Sequence, residues 1–579
     1  MPLNIKKLIL TAILACLAGI WVPVNAALGV SDANFLQPQG LNQAGIYDLR
    51  QIEPNLTGQG IKFSLVCRSI TYTDEEPQND YQPGISHKCF AGGQFNFHDA
   101  NGKEPGISSH STAICSILFG QDPNGRNEEL GQFQYEGIAP AAKADVYEFW
   151  HFLMDNVFAN VPPDADVLTT DIGNLSNDWW TRGIDSMAEQ YGLVAVAGIG
   201  NGEDAFDPPL YPGAGANIIG VGVVDSMDTN NIATKLGDFS LARPEHSSFG
   251  PTDDMRCKPD IVAPGNCLVA DVNDPNHYVP SGNWSSFATP VVAGAAGLLI
   301  QKAKEDPNLG MAISAQGGNC VIKAILMNSA TKLPYWHKGL IGKDDDHTVP
   351  LDYIQGAGML NAVSAYRHLI AGQNKATETG EVSPIGWDNN VLERDGRIEN
   401  FYKFNIAEPA NKSITATIAW NKRYNDVYPF ESLPKEDGNL RLEIWAVDSN
   451  DPNKDYLLDY SDSKVDNVEH IFRTADPNFK MYEIIVSYSD INDANRIPAS
   501  QRYGIAWNVE EIQDSNKNSW FDLNGDGLTD KLDLVVMFEN VAAAIRTPGR
   551  YLIGDITNDG QIDVSDFKLL MSRINFKAD

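Results

Sequence analysis

The stretch Ser285-Ser286-Phe287-Ala288-Thr289-Pro290-Val291-Val292-Ala293-Gly294 decides how this chain is read. A pair of hydroxyls stands at the mouth of a segment that continues as Ala295-Ala296-Gly297-Leu298-Leu299, a helix whose small residues permit close packing. A helix start favours developing negative charge, so Ser286 is a candidate nucleophile. Acyl transfer to a serine needs a base to take its proton and a donor where the oxyanion grows. Two upstream segments offer them. Ser108-Ser109-His110-Ser111-Thr112-Ala113 carries an imidazole into an apolar run, and Gly200-Asn201-Gly202 carries a side-chain amide just after the run Leu193–Ala197.

Around these segments, short apolar runs alternate with helical stretches. Ile61–Val66, Asp166–Thr170, Leu193–Ala197 and Ile218–Val224 have few polar interruptions, as in a parallel sheet covered on both faces. Ile184–Tyr191 reads as a crossover helix, so this part is expected to be an α/β domain. From about Glu381 to Glu511 the period changes to two. Ile414, Ala416, Ile418 and Trp420 alternate with Ser413, Thr415 and Thr417, and Leu440, Leu442 and Ile444 repeat the pattern. Met481–Ser489 and Arg502–Val509 are further strand candidates, predicting an all-β sandwich or jelly roll with one apolar face per strand.

Beyond a polar linker at Asp514–Trp520 come two similar units. Asp522, Asn524, Asp526, Asp530 and Asp533 fall at loop positions 1, 3, 5, 9 and 12, with Gly527 at position 6. Asp555, Thr557, Asp559, Asp563 and Asp566 repeat the spacing around Gly560, and the position-7 carbonyls belong to Leu528 and Gln561. This spacing wraps hard oxygens around one calcium ion per loop, with glycine making the sharp turn. Each loop runs into an apolar helix, Leu534–Phe538 and then Phe567, Leu569, Leu570 and Ile574.

Composition sets the setting. The balance of 43 basic against 76 acidic residues gives a formal charge of −33, which argues against nucleic acid or an anionic membrane as partner. Lys6 and Lys7, an apolar run from Leu8 and the ending Val24-Asn25-Ala26 read as a secretory signal over 1–26, with lipidation at Cys16 as the rival reading. No later stretch reaches the ~18 apolar residues of a membrane helix, so an exported chain without membrane insertion is expected. Cys67, Cys89, Cys115, Cys257, Cys267 and Cys320 then meet an oxidising compartment, and their pairing stays open.

The order of His110, Asn201 and Ser286, with Ser247–Pro251, Lys258–Gly265, Ile325–Ala330 and Gly356–Ala362 in sequence around them, resembles the subtilisin-like serine proteases, the subtilases. The resemblance covers about residues 40–370. It implies a serine endopeptidase acting on polypeptides: Ser286 as nucleophile, His110 as general base and Asn201 as oxyanion donor. Asp171, Ile172 and Gly173 would lie on the strand lining the primary specificity pocket. The sandwich resembles the jelly roll that follows the catalytic domain in some subtilases, particularly at Val465–His470. The two calcium loops resemble a dockerin, which implies two Ca²⁺ ions and docking onto a cohesin-bearing scaffold or surface protein. The expected organisation is therefore a signal at 1–26, a peptidase domain at 27–375, a sandwich at 376–512 and a small α dockerin at 513–579.

The resemblance breaks at one decisive point. Where the family carries its aspartate, at the end of the strand Ile61–Val66, this chain has Cys67. Substituting that aspartate in a serine protease lowers kcat by roughly 10⁴. Two readings follow: a loop bringing Asp74, Glu75 or Glu76 back to the histidine, or a catalytically impaired relative that binds peptides. Cys67 paired with Cys89 would fill the aspartate's space with sulfur. Ser111 and Trp284 replace usual glycines, and Trp284 is bulky enough to crowd the site. Asp171 replaces a usual serine, where a carboxylate either favours a basic substrate side chain or repels peptide backbone.

Overall fold

The computed structural model of the chain describes residues 40–511, apart from 68–70, 73–76, 79, 100–105, 203–207, 228, 240–241, 243–245, 334–335, 340–345, 411 and 490–496, together with 531, 533–535, 537–538, 541, 556, 562–572 and 574. The signal segment, with Cys16, lies outside the described residues, as do Asp74, Glu75 and Glu76.

Seven strands form the central sheet: β1 (Lys62–Val66), β2 (Phe95–His98), β3 (Lys143–Tyr147), β4 (Val167–Thr170), β5 (Val194–Gly198), β6 (Ile219–Val224) and β7 (Ile261–Pro264). Their order is β7-β6-β5-β4-β1-β3-β2, and every pairing is parallel. All four strands read from the apolar runs are present. They are buried along nearly their whole length, as a sheet covered by helices on both faces requires. The strand order reverses at β1, and in open α/β sheets the crevice beyond the carboxyl ends at such a point holds the ligand.

Two buried helices approach that crevice, α1 (Ser109–Phe119) and α3 (Ser285–Glu305). The small residues of α3 let it lie against the sheet. A Cβ on Gly297 would stand 2.5 Å from the Phe63 ring of β1, and one on Gly294 would stand 2.6 Å from Ile138. The expected crossover helix begins earlier than its apolar spacing indicates. α2 spans Trp179–Tyr191 after an Asp178 N-cap, and its early turn buries Trp180. Among the described residues no single helix is long and apolar enough to cross a membrane.

The next domain is a sandwich of two four-stranded sheets. β8 (Gly386–Glu393), β10 (Lys412–Ala419), β13 (Val468–Thr474) and β15 (Ser500–Glu511) form one, in the order β8-β15-β10-β13. β9 (Glu399–Asn405), β11 (Leu440–Val447), β12 (Tyr456–Ser461) and β14 (Met481–Tyr488) form the other, in the order β9-β14-β11-β12. Alternation in β10 implies one wet face, but both its faces are buried. The reason is α4 (Gly318–Asn328), which packs across the outside of this sheet. Thr417 therefore donates its hydroxyl to Asn328 Oδ1 at 2.9 Å instead of to water, and Asn319 and Asn421 exchange side-chain hydrogen bonds at 3.0 and 3.2 Å. The stretch Val465–His470 also faces the α/β domain: Cys257 N–H donates to Asp466 at 2.7 Å, and Asn467 donates to the Ala216 carbonyl at 2.9 Å.

In the C-terminal unit, α5 (Val564–Met571) starts from a capping box between Asp563 and Asp566. Met537, Ile556, Leu570 and Ile574 make its small core, and the Phe538 and Phe567 rings meet at 5.3 Å.

Candidate active site

His110 and Ser286 are each the second residue of an almost wholly buried helix, α1 and α3, and those helices pack together beside the carboxyl ends of the sheet. Ser108 caps α1 by accepting the Ser111 N–H at 3.1 Å. Ser286 is half-buried and stands where the N-terminal field of α3 is strongest. Phe287 presents its ring to His110 with centroids 5.8 Å apart.

The amide flank is tightly specified. Asn201 follows β5 between two glycines with φ of +111° and +61°, values that side-chain-bearing residues rarely adopt. A Cβ on Gly200 would also strike Ser248 Oγ at 2.4 Å. The Asn201 Oδ1 accepts both the backbone N–H and the hydroxyl of Ser285, each at 3.0 Å. Gly200 N–H in turn donates to Ser285 Oγ at 3.2 Å. With its carbonyl engaged twice, Asn201 keeps its Nδ2 as the donor for the site. Ser285 is thus a positioning residue. Its place next to Ser286 in the sequence does not reveal that role, since only the fold shows which loop its hydroxyl meets.

The base flank differs. Val66 of β1 pairs with Thr170 of β4, so the next residues, Cys67 and Asp171, come side by side where the strand order reverses. Cys67 Sγ lies 3.8 Å from Asp171 Oδ2. Burial first, then the Asp171 carboxylate, pushes the Cys67 thiol well above its ordinary range, so it stays protonated and donates. Burial likewise pushes the Asp171 carboxyl well up. Its Oδ1 is buried and has no hydrogen-bond partner among the described residues. The buried Ser111 side chain acts on the Cys67 thiol in the opposite sense, lowering it.

Asp171 therefore turns its carboxylate to Cys67, at the edge of the sheet. Ile172, after it, packs partly buried against the hydrophobic cluster that includes Trp180 and Phe430, and a Cβ on Gly173 would meet Leu210 at 2.9 Å. Cys67 is not a half-cystine: all six cysteines described are free and buried, and Cys89 Sγ instead lies 3.1 Å from His87 Nδ1. Cys115 is fully buried in the core, as a small hydrophobe. Trp284 sits beside Phe287. Its ring stacks on Phe287 at 5.7 Å and remains about half exposed, at 48%.

Of the calcium-loop residues, Asp533, Asp563 and Asp566 are described, and the position-12 pair, Asp533 and Asp566, is fully buried. Asp522, Asn524, Asp526, Leu528, Asp530, Asp555, Thr557, Asp559 and Gln561 lie outside the described residues. Among the described residues no group of three or more His, Cys, Asp or Glu side chains is arranged to hold a metal ion.

Residues 79–358 match the model of the subtilase family, Peptidase_S8. The α/β domain is subtilisin-like. Serine protease AprX of Bacillus subtilis is 26% identical over 264 residues, 40% of this chain and 52% of that protein. Thermitase of Thermoactinomyces vulgaris is 24% identical over 196 residues, 33% of this chain and 57% of that protein. The chain thus spans about half the length of these relatives. Among solved structures, the patellamide maturation protease PatA is 22% identical with a TM-score of 0.36, covering 54% of this chain and 98% of that one.

Proposed function

We propose that the chain is a secreted serine endopeptidase that cleaves polypeptides through an acyl-enzyme. Ser286 Oγ attacks the scissile carbonyl while its proton passes to His110 Nε2. The oxyanion that forms is met by Asn201 Nδ2. His110 then returns the proton to the departing amine, and water, deprotonated in turn by His110, releases the acyl group. The observation that carries this reading is the double clamp of Ser285 on Asn201 Oδ1, which fixes an amide donor beside the start of α3. Mass spectrometry after a fluorophosphonate probe tests it. Stoichiometric labelling at Ser286, absent in Ser286→Ala, is expected; folded wild-type protein that stays unlabelled overturns it.

A second reading, a peptide-binding relative without turnover, is favoured by the neutral thiol of Cys67 at the family's aspartate position. Labelling of Ser286 separates the two.

The C-terminal unit is proposed to be a dockerin that holds two Ca²⁺ ions and binds a cohesin on a scaffold or surface protein. Its donors are hard oxygens suited to calcium, and the buried Asp533 and Asp566 at matching loop positions support the fit. Bound calcium would cross-link each loop to its helix. Chelation of the full chain is expected to remove a separate calcium-dependent step from its thermal unfolding, and a profile indifferent to chelator would refute the dockerin.

A further inference from the structure

The residue that deprives this site of its expected carboxylate lies against another one. Cys67 ends β1, Asp171 ends the adjacent parallel strand β4, and the pairing of Val66 with Thr170 sets them abreast. We infer that Asp171 supplies the carboxylate that orients His110 and balances its charge, moved one strand across the sheet, with the Cys67 thiol holding one oxygen and leaving the other for the imidazole. The inference rests on the proteolytic reading above.

Five observations lead to it. Cys67 reaches Asp171 Oδ2 at 3.8 Å, and as a protonated thiol it donates to the carboxylate without competing for a proton. Asp171 Oδ1 is buried and lacks a partner among the described residues, and an ionised carboxylate in that state is poorly tolerated unless a cation meets it. Among the described residues, the influences on the Asp171 carboxyl are burial and the Cys67 thiol, with no lysine or arginine. Cys115, the other titratable neighbour of Cys67 among the described residues, is a buried thiol whose own proton is held by burial. Finally, Ser111, next to His110 in the first turn of α1, is close enough to influence the same thiol.

The charge that Asp171 lacks is one the reaction creates. When Ser286 Oγ–H yields its proton to His110 Nε2, the ring becomes an imidazolium whose Nδ1–H seeks an acceptor. Asp171 accepts that hydrogen bond as a carboxylate without taking the proton, and the proton gained at Nε2 leaves with the amine. This assignment also separates Asp171 from a substrate-facing role, in which its carboxylate would turn outward to a basic side chain.

A swap of the carboxylate between strands tests the inference, read as the rate and pH dependence of fluorophosphonate labelling in the full-length protein. Asp171→Asn is expected to slow labelling by roughly 10³–10⁴. Its acid limb should move to lower pH by about one unit, because a carboxylate partner raises an imidazole's pKa. Adding Cys67→Asp to that variant returns the carboxylate to β1, and should restore labelling to within about tenfold of wild type. A purely structural role for Asp171 predicts neither the pH shift nor the rescue. Asp171→Asn that labels like wild type overturns the inference and leaves the protease reading intact, as does a change confined to preference for basic peptide substrates. A folded double variant that stays as slow as Asp171→Asn also overturns it. Wild-type protein that never labels removes the protease reading itself.

Discussion

On the amide flank of the site, each polar atom of the Asn201–Ser285 pair that faces its neighbour is engaged: Oδ1 twice, the Ser285 hydroxyl as donor and acceptor. On the base flank, a thiol meets one carboxylate oxygen at 3.8 Å and the other oxygen has no partner among the described residues. The first arrangement is complete before any substrate arrives, which is what electrostatic stabilisation of an oxyanion requires. The second is complete only when a positive charge appears beside it. Damage to the amide flank should therefore be graded, whereas the base flank should respond to charge and pH.

The sharpest way to break this contrast is to remove the donor itself. Asn201→Ala should lower kcat on an unfolded protein substrate by roughly 10²–10³ with KM little changed, since the lost bond is made mainly to the oxyanion. Equal kcat in steady-state assays of the two proteins would show that the oxyanion is met elsewhere. Ser285→Ala should do less. It removes the hydroxyl, which donates to Oδ1 and accepts from Gly200 N–H, but keeps the backbone N–H on Oδ1, so the loss is about two neutral hydrogen bonds, ~2 kcal/mol or roughly thirtyfold in kcat. A loss as large as that of Asn201→Ala would mean that the hydroxyl acts directly and does not serve as a clamp.

These two flanks were unequally legible in the sequence. The amide flank could be approached from local signals, because Gly200-Asn201-Gly202 directly follows an apolar strand and Ser286 directly precedes a small-residue helix. The same local logic found β1, β4, β5 and β6. It failed where tertiary covering overrode a pattern: the threonines of β10 alternate like a wet face, yet α4 lies over them. It also failed for Asp171. No spacing in one chain tells that residues 67 and 171 end neighbouring strands, because that adjacency is set by the parallel register of β1 on β4. Local spacing points down the chain to Asp74, Glu75 and Glu76, which lie outside the described residues, whereas the sheet sets Asp171 beside Cys67.

Cys67 gives the smallest effects and the finest comparison. Cys67→Ser keeps a donor toward Asp171 Oδ2, so labelling of Ser286 should stay within about threefold of wild type, less than the net worth of one hydrogen bond. Cys67→Ala removes that donor. The thiol's hydrogen bond acts to lower the Asp171 carboxyl's pKa against the rise from burial, so its loss lets the carboxyl rise further. If the reaction needs Asp171 ionised, the variant must reach a higher pH before that form is populated, and the acid limb of its labelling profile should move up relative to Cys67→Ser. Asp171→Asn moves the limb the other way, because there the imidazole loses its anionic partner. Opposite displacements from two neighbouring substitutions identify the carboxylate as the group through which both act. If Cys67→Ala and Cys67→Ser give superimposable profiles, the thiol is packing alone, and the contrast between the flanks reduces to Asp171 by itself.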